Sequence, residues 1–446
     1  MRETLSSPEE NVIHHDVVIA GAGLSGLVLS RELEKRGVDY VVADSAPRSK
    51  GPVVHYLLSR AASENLGLSE YYNHRLLRGS AVTGYRRLNY DAHGLEPLEQ
   101  VVPNSMRDGF VVVSIQELKE IWASQLNIRF ADPIVALELN ERNLWKVDMR
   151  SRTKFTSKCV IDATGQDAHL GKLIGRDAAK PQRQCYGGVF EYGGPINELL
   201  FLDRMQNVGN RPPETAGWIM PVGDGTAEII IAHELDGGMS GWRDPQLRST
   251  LADYIEWFNK RGIQIGERIS TISGNFAQGL PKYSSVLTTD GFSLFGEALG
   301  LNHPLNGYLI HEIQDHAVNM ADEIIRFLAT GRWDPHRAMV GKSPVKYGLE
   351  KSLGNIKTRS AQAGEGRSKP LAPLHKALSS ALGEDGLWRA IDHGVEANLI
   401  LLEASRNPNL AGFLVRLASE YLRLLVDHSQ YRDEIFDKVR YSLRRS

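Results

Sequence analysis

The chain has 446 residues, 42% hydrophobic and 24% charged, with a formal net charge of −2. That length allows two or three domains and a large core, while the balanced charge argues against nucleic acid or a broadly anionic membrane as the partner. Two cysteines, Cys159 and Cys185, make neither a disulfide framework nor a metal cluster, and Cys159, in the apolar run Cys159–Ile161, reads as a small buried residue.

Met1–Glu10 is polar and acidic, without a signal-peptide pattern, and no apolar run approaches the ~20 residues that span a bilayer. A cytoplasmic location is the resulting expectation. The chain then reads Asp16-Val-Val-Ile-Ala-Gly-Ala-Gly-Leu-Ser-Gly26. An apolar strand, Val17–Ala20, enters a glycine turn, a helix-like run continues over Leu27–Arg36, and a second apolar strand, Tyr40–Ala43, ends on Asp44. Strand, Gly-x-Gly-x-x-Gly, helix, strand and acid in that order form the dinucleotide-binding arrangement. Gly21 allows the tight turn, Gly23 lets the backbone approach a pyrophosphate, and Gly26 lets the helix pack on the strand. Leu24 and Ser25 open the helix, whose free N–H groups and dipole favour phosphate. Asp44, about 20 residues on, is placed to accept hydrogen bonds from a ribose. With the context complete, a nucleotide site is favoured over a structural glycine turn.

Further strands are predicted at 80–90 and 109–114. Short alternating runs then follow at 128–130, 134–139, 145–149 and 159–161, which suit an antiparallel meander feeding back into the nucleotide-binding sheet. Strands at 185–192, 216–221 and 227–232 precede a helix over 247–261. A short buried strand at 292–295 leads to Gly296, and helical spacing returns over 307–328 through Leu309, Ile313, Ala317, Met320, Ile324 and Leu328. Beyond about residue 330 the character changes. Lys and Arg dominate 337–376, where the acids are Glu350 and Glu365, and about 358–372 lacks periodicity and reads as a mobile loop. This basic stretch reads either as a solvated face or as a contact for a pyrophosphate, a lipid headgroup or an anionic surface. Leu410, Phe413, Leu414, Leu417, Tyr421 and Leu424 make one apolar helix face near the C-terminus. No second Gly-x-Gly-x-x-Gly is present.

Three later segments carry a resemblance. Val160-Ile-Asp-Ala-Thr-Gly165 resembles the strand-end motif of FAD proteins, in which the turn at Gly165 passes close to the dinucleotide. Leu294-Phe-Gly-Glu-Ala-Leu-Gly-Leu-Asn-His-Pro-Leu-Asn-Gly-Tyr308 resembles the Gly-Asp-Ala-Ala-Gly…Pro-Leu-Thr-Gly segment of the geranylgeranyl reductase family. There the acid binds the ribityl chain, and the helix after the second glycine points at the flavin. The resemblance therefore implies flavin contacts at Gly296, Glu297, Asn306 and Gly307. Glu297 stands where the family has Asp, and Leu299 replaces a small alanine. Ala216-Gly-Trp-Ile-Met-Pro221 resembles the family's Trp-x-Phe-Pro segment, which walls the cavity beside the flavin, with Met220 in place of Phe. Flavin halogenases carry Trp-x-Trp-x-Ile-Pro, of which the second Trp and the Pro are present. Gln116 falls near where related proteins place an Arg against FAD.

The implied fold is α/β: an FAD-binding Rossmann-like (glutathione-reductase-type) fold with an inserted antiparallel-sheet substrate domain and a C-terminal helical region. The FAD domain would be discontinuous, over 12–75, 105–175 and 285–330. The substrate domain would take 76–104 and 176–284, and the helical region 331–446. The resemblance implies FAD chemistry on a hydrophobic, isoprenoid- or polyketide-like small molecule, with no metal. In the reductive version reduced FAD delivers hydride to a double bond, and electrons come from NAD(P)H docking or a separate flavin reductase. Two enzymatic alternatives stand: a monooxygenase using a flavin peroxide, and a redox-neutral cyclase similar to lycopene cyclases. The third alternative is a flavin- or lipid-binding protein without turnover. The cyclase alternative draws on His303-Pro-Leu-Asn-Gly-Tyr308 and looks to His233-Glu234 for its acid. Glu234 has the competing reading of a strand-end surface acid. His303 is either backbone-bonded at the start of the helix or an imidazole at the flavin-facing turn. Tyr308 reads as a cavity wall, and Trp218 as pocket rather than core.

Overall fold

The structure is a computed structural model; it describes residues 12–48, 54–77, 81–82, 84–89, 98–102, 110–175, 183–203, 215–234, 244–276, 291–299 and 310–334. The chain opens with β1 (Val12–Ala20), α1 (Leu24–Lys35) and β2 (Tyr40–Ala43). Next come β3 (His55–Ser59), α2 (Arg60–Leu66), α3 (Ser69–Leu77), β4 (Ala81–Val82), β5 (Gly84–Asn89), β6 (Leu98–Val102), β7 (Phe110–Ser114) and α4 (Ile115–Trp122). β8 (Ile128–Arg129), expected in the meander, instead pairs parallel with β2 at the opposite edge of the sheet, because two residues leaving α4 can extend only the nearer edge. The antiparallel meander is β9 (Ile134–Leu139), β10 (Trp145–Met149) and β11 (Lys154–Asp162), with α5 (His169–Leu173) after it. Then follow β12 (Arg183–Tyr192), β13 (Glu198–Asp203), β14 (Thr215–Gly223), β15 (Thr226–Glu234), α6 (Asp244–Asn259), β16 (Ile265–Arg268) and β17 (Ile272–Phe276). β18 (Phe292–Leu294) and α7 (Ile310–Thr330) complete the described elements.

The first sheet has the order β8-β2-β1-β11-β10-β9, and β18 also pairs with β11. β1 is parallel to β2 and to β11, with Ala20 opposite both Ala43 and Asp162. β11 shares its far edge between two partners, since its start meets β10 antiparallel and its end meets β18 parallel. Val17–Ile19 and Val41–Val42 are fully buried, as expected of parallel strands covered on both faces. α1 and α7 pack together beside the sheet. Ile313, Ala317, Met320 and Ile324 supply the buried stripe of α7, as the helical spacing predicted.

The second sheet runs β16-β12-β15-β14-β13-β5-β6, with β17 also on β12. α6 backs it, through Leu247, Leu251, Tyr254 and Phe258 against Tyr186, Phe190, Ile219, Ile229 and Ile231. Side chains alternate across a strand. Trp218, Met220 and Glu228 therefore lie on the face turned away from α6. A third sheet, β3-β7-β4, meets that face: Val82 and Val112 cluster with Leu199 and Met220, and Leu57 and Trp218 pack against them.

Several elements were not read from the sequence, among them β3, α2, α3 and β13. They are short, and their patterns mix helix and strand formers, so packing decides their state. The basic stretch 337–376 and the helix face from Leu410 to Leu424 lie outside the described residues. Among the described residues no helix is long and apolar enough to cross a membrane.

Candidate functional site

The glycine turn takes the form its spacing predicts. Gly21 has φ +97°, and a Cβ there would sit 2.6 Å from the Ala163 carbonyl oxygen. Gly26 presses α1 onto the turn, where a Cβ would overlap the Gly21 carbonyl oxygen. Gly23 differs, because a Cβ there meets nothing within 4 Å. It caps α1 in an extended conformation with no side-chain cap, so the helix start, Leu24 and Ser25, opens onto free space with its N–H groups unpartnered by a cap.

Opposite lies the turn after β11. Asp162 is fully buried; its Oδ1 accepts from the Thr164 N–H at 3.0 Å and the Thr164 hydroxyl at 2.6 Å, and its Oδ2 accepts from the Gly171 N–H at 2.9 Å. One carboxylate thus ties the strand end to α5. Gly165 follows with φ +75°, and a Cβ on it would lie 3.7 Å from Glu297 Oε2. Gly296, with φ +66°, lets its backbone sit where a side chain would strike the Ser25 hydroxyl. The strand ends after β1, β11 and β18 therefore converge on one point.

Asp44 Oδ2 accepts from the Lys119 ammonium at 2.7 Å, and its Oδ1 from the Ala46 N–H at 3.2 Å. Lys119 was not singled out in the sequence, although a signal exists. Ile115, Leu118, Lys119 and Trp122 are the buried residues of α4, so a lysine occupies its apolar stripe. A capping box fixes this helix: Ser114 Oγ accepts from the Glu117 N–H, and Glu117 from the Ser114 N–H. Gln116 turns elsewhere, donating to the Arg48 carbonyl at 2.8 Å and to Glu120 at 3.1 Å.

A cavity of about 1080 Å³ joins these parts. Asp44, Ala46, Lys119 and Ile134 line one region, Gly21, Gly23, Leu24, Ser25 and Gly165 another, and Tyr56, Glu297, Ser273 and Gly274 a third. Ser273 and Gly274 belong to β17, so the cavity reaches the second sheet. Burial, with the Glu297 and Glu228 carboxylates nearby, pushes the Tyr56 phenol up, which keeps it protonated. Burial and the same two carboxylates push the Cys185 thiol up to about 12. Cys185 donates to the Gly274 carbonyl at 3.3 Å.

Beside this region the buried Glu228 gathers three donors. The His55 N–H and ring Nδ1 each lie 3.0 Å from its Oε2, and Trp218 Nε1 donates to its Oε1 at 3.3 Å. Trp218 is half-buried on β14. Sequence reading missed His55, Tyr56 and Glu228, which no motif marks. Glu234 ends β15 opposite Arg183, and its side chain lies outside the described part, as do His303, Asn306, Gly307 and Tyr308. Among the described residues no group of His, Cys, Asp and Glu is arranged to hold a metal ion.

The residues fit FAD: the space over Gly23 admits a pyrophosphate, Asp44 offers a carboxylate to a ribose, and Glu297 stands at the turn toward Tyr56. The fold is similar to that of solved flavoproteins. Among solved structures, a geranylgeranyl bacteriochlorophyll reductase-like protein from Thermoplasma acidophilum is similar with a TM-score of 0.66 at 17% identity, over 91% of this chain and 100% of that one. A mutant of the halogenase PltM in complex with FAD matches with a TM-score of 0.61 at 13% identity, over 96% and 95%. PqsL, a probable FAD-dependent monooxygenase from Pseudomonas aeruginosa, matches with a TM-score of 0.55 at 19% identity, over 80% and 98%. No protein-family model matches the chain, and no curated protein matches it. At these identities the likeness is one of fold.

Proposed function

We propose that the chain binds FAD and is an oxidoreductase that reduces a double bond in a hydrophobic small molecule, isoprenoid- or polyketide-like. The observation that carries this reading is the continuity of the cavity from the glycine turn to the second sheet at Ser273 and Gly274. Bound FAD supplies two-electron transfer there. The protein supplies position and exclusion of water. Met220 and Trp218 pack apolar surface of the second sheet against the third sheet beside this region, and Tyr56 keeps a neutral phenol at the cavity surface. Electrons are to come from docked NAD(P)H or a separate flavin reductase, since the sequence has one nucleotide-binding glycine motif.

The test starts from the absorbance of the purified protein, which should show bound flavin; a protein unable to take up FAD removes the whole reading. The reduced protein is then mixed anaerobically with isoprenoid alkenes, geranylgeraniol first. Flavin reoxidation with loss of the double bond supports reduction. Product formation that requires O₂ points to oxygenation, and turnover without net flavin redox change points to cyclisation; either displaces the reductive reading.

A further inference from the structure

Lys119 is the buried cation of the cavity wall, 3% exposed, on the apolar stripe of α4. Burying an ammonium is costly unless acceptors meet its protons. Lysine carries three N–H donors. One meets Asp44 Oδ2 at 2.7 Å, and the Phe130 ring lies 5.9 Å away. Asp44 is the acceptor found for Lys119 among the described residues, although both residues line the cavity.

Asp44 is fixed from several sides. Its Oδ1 holds the Ala46 N–H at 3.2 Å, its backbone N–H donates to the Arg129 carbonyl at 2.9 Å, and its carbonyl accepts from the Asp132 N–H at 2.9 Å. A carboxylate has about four lone-pair sites, so this one retains acceptor capacity toward the cavity. Each hydroxyl of a ribose needs an acceptor for its proton and a donor for its oxygen. A carboxylate alone meets the first need. An ammonium 2.7 Å from it meets the second.

We infer that Asp44 and Lys119 read the adenosine-ribose diol of the cofactor as a pair, with Lys119 donating to the hydroxyl oxygens whose protons Asp44 accepts. This rests on the FAD reading above and makes Lys119 a specificity-determining residue for the cofactor. The bland alternative is that Lys119 merely neutralises Asp44. In that case its removal weakens every flavin dinucleotide equally, whatever the ribose carries.

The experiment titrates FAD and its adenosine 2′-deoxy analogue into apo-protein, followed by flavin fluorescence. Wild type should prefer FAD by about 10-fold or more, the scale of a lost hydrogen bond to a charged group. In Lys119→Met that preference should shrink toward parity. An unchanged preference overturns the inference. If the methionine variant does not fold, Lys119→Leu is read the same way: a merely neutralising role preserves the preference for FAD over the deoxy analogue, whereas a diol-reading role shrinks it with the lost N–H donors. Wild type that binds FAD without preference overturns this inference alone. Wild type that takes up no FAD overturns the cofactor reading beneath it.

Discussion

His55 and Glu228, 173 residues apart, meet twice: the backbone N–H and the ring Nδ1 of His55 each lie 3.0 Å from Glu228 Oε2. Glu228 is 1% exposed, and its other oxygen accepts from Trp218. β3 is thereby held against β15 by a buried carboxylate, while the next residue of β3, Tyr56, lines the cavity. Replacing Glu228 by Ala strands two backbone and ring donors and the indole N–H. A loss of about 3 kcal/mol of stability is expected, read by urea denaturation. Glu228→Gln should cost less, because the amide oxygen still accepts. Equal stability for wild type and Glu228→Ala would contradict this structural role.

Gly21 and Gly23 should respond oppositely to substitution. At Gly21 the positive φ and the Ala163 carbonyl leave no room for a side chain, so Gly21→Ala should lower the melting temperature even without flavin, by about 1–3 kcal/mol of strain. At Gly23 a side chain meets open space. Gly23→Trp should therefore fold normally and lose FAD, since the indole fills the pyrophosphate position. Circular dichroism with a flavin content assay separates the two, and stoichiometric flavin in Gly23→Trp would refute the assignment.

Trp218 stands on the face of β14 that packs against the third sheet, tied to Glu228, whose other oxygen holds His55, the residue next to Tyr56. Trp218→Ala should retain FAD and fall in turnover of the hydrophobic substrate by at least about tenfold, the scale of removing a large buried aromatic wall. Flavin loss with turnover per bound flavin unchanged would make it a structural residue instead.

The thiol of Cys185 carries a pH prediction. Burial, then Glu297 and Glu228, push it up to about 12, above the ordinary thiol range near 8.5. Its folded-state pKa is thus raised, so the stability from keeping it neutral is present below about pH 8 and declines as pH rises through the thiol's unfolded range toward 12. At pH 8 the folded protein should resist iodoacetamide at Cys185, with labelling appearing on denaturation. Rapid alkylation of the native protein at that pH would show an accessible thiolate.

The glycine motif was legible because its chemistry is local. Gly21, Gly23 and Gly26 are constrained by backbone conformation and close approach within one turn, and residue type alone states those constraints. The meander strands 134–139 and 145–149 were legible for a similar reason, since alternation reports a half-buried strand directly. Lys119 was half legible: a charge on the stripe of Ile115, Leu118 and Trp122 breaks the pattern, but its partner Asp44 lies 75 residues back. No spacing announces the meeting of His55 with Glu228.

By itself, then, the sequence determined the glycine turn with its flanking strands and helix, the resemblance to FAD proteins, and the meander strands from 134 onward, whereas the place of β8 beside β2 came from the tertiary structure. Tertiary structure decided which charges share a buried site. Asp44 gains a lysine from α4, a helix that packs on α1 and β7, and Glu228 gains a histidine from another sheet. Such pairs arise where separately folded elements come into register, and their energy depends on burial and distance, two quantities that no residue carries in its own identity.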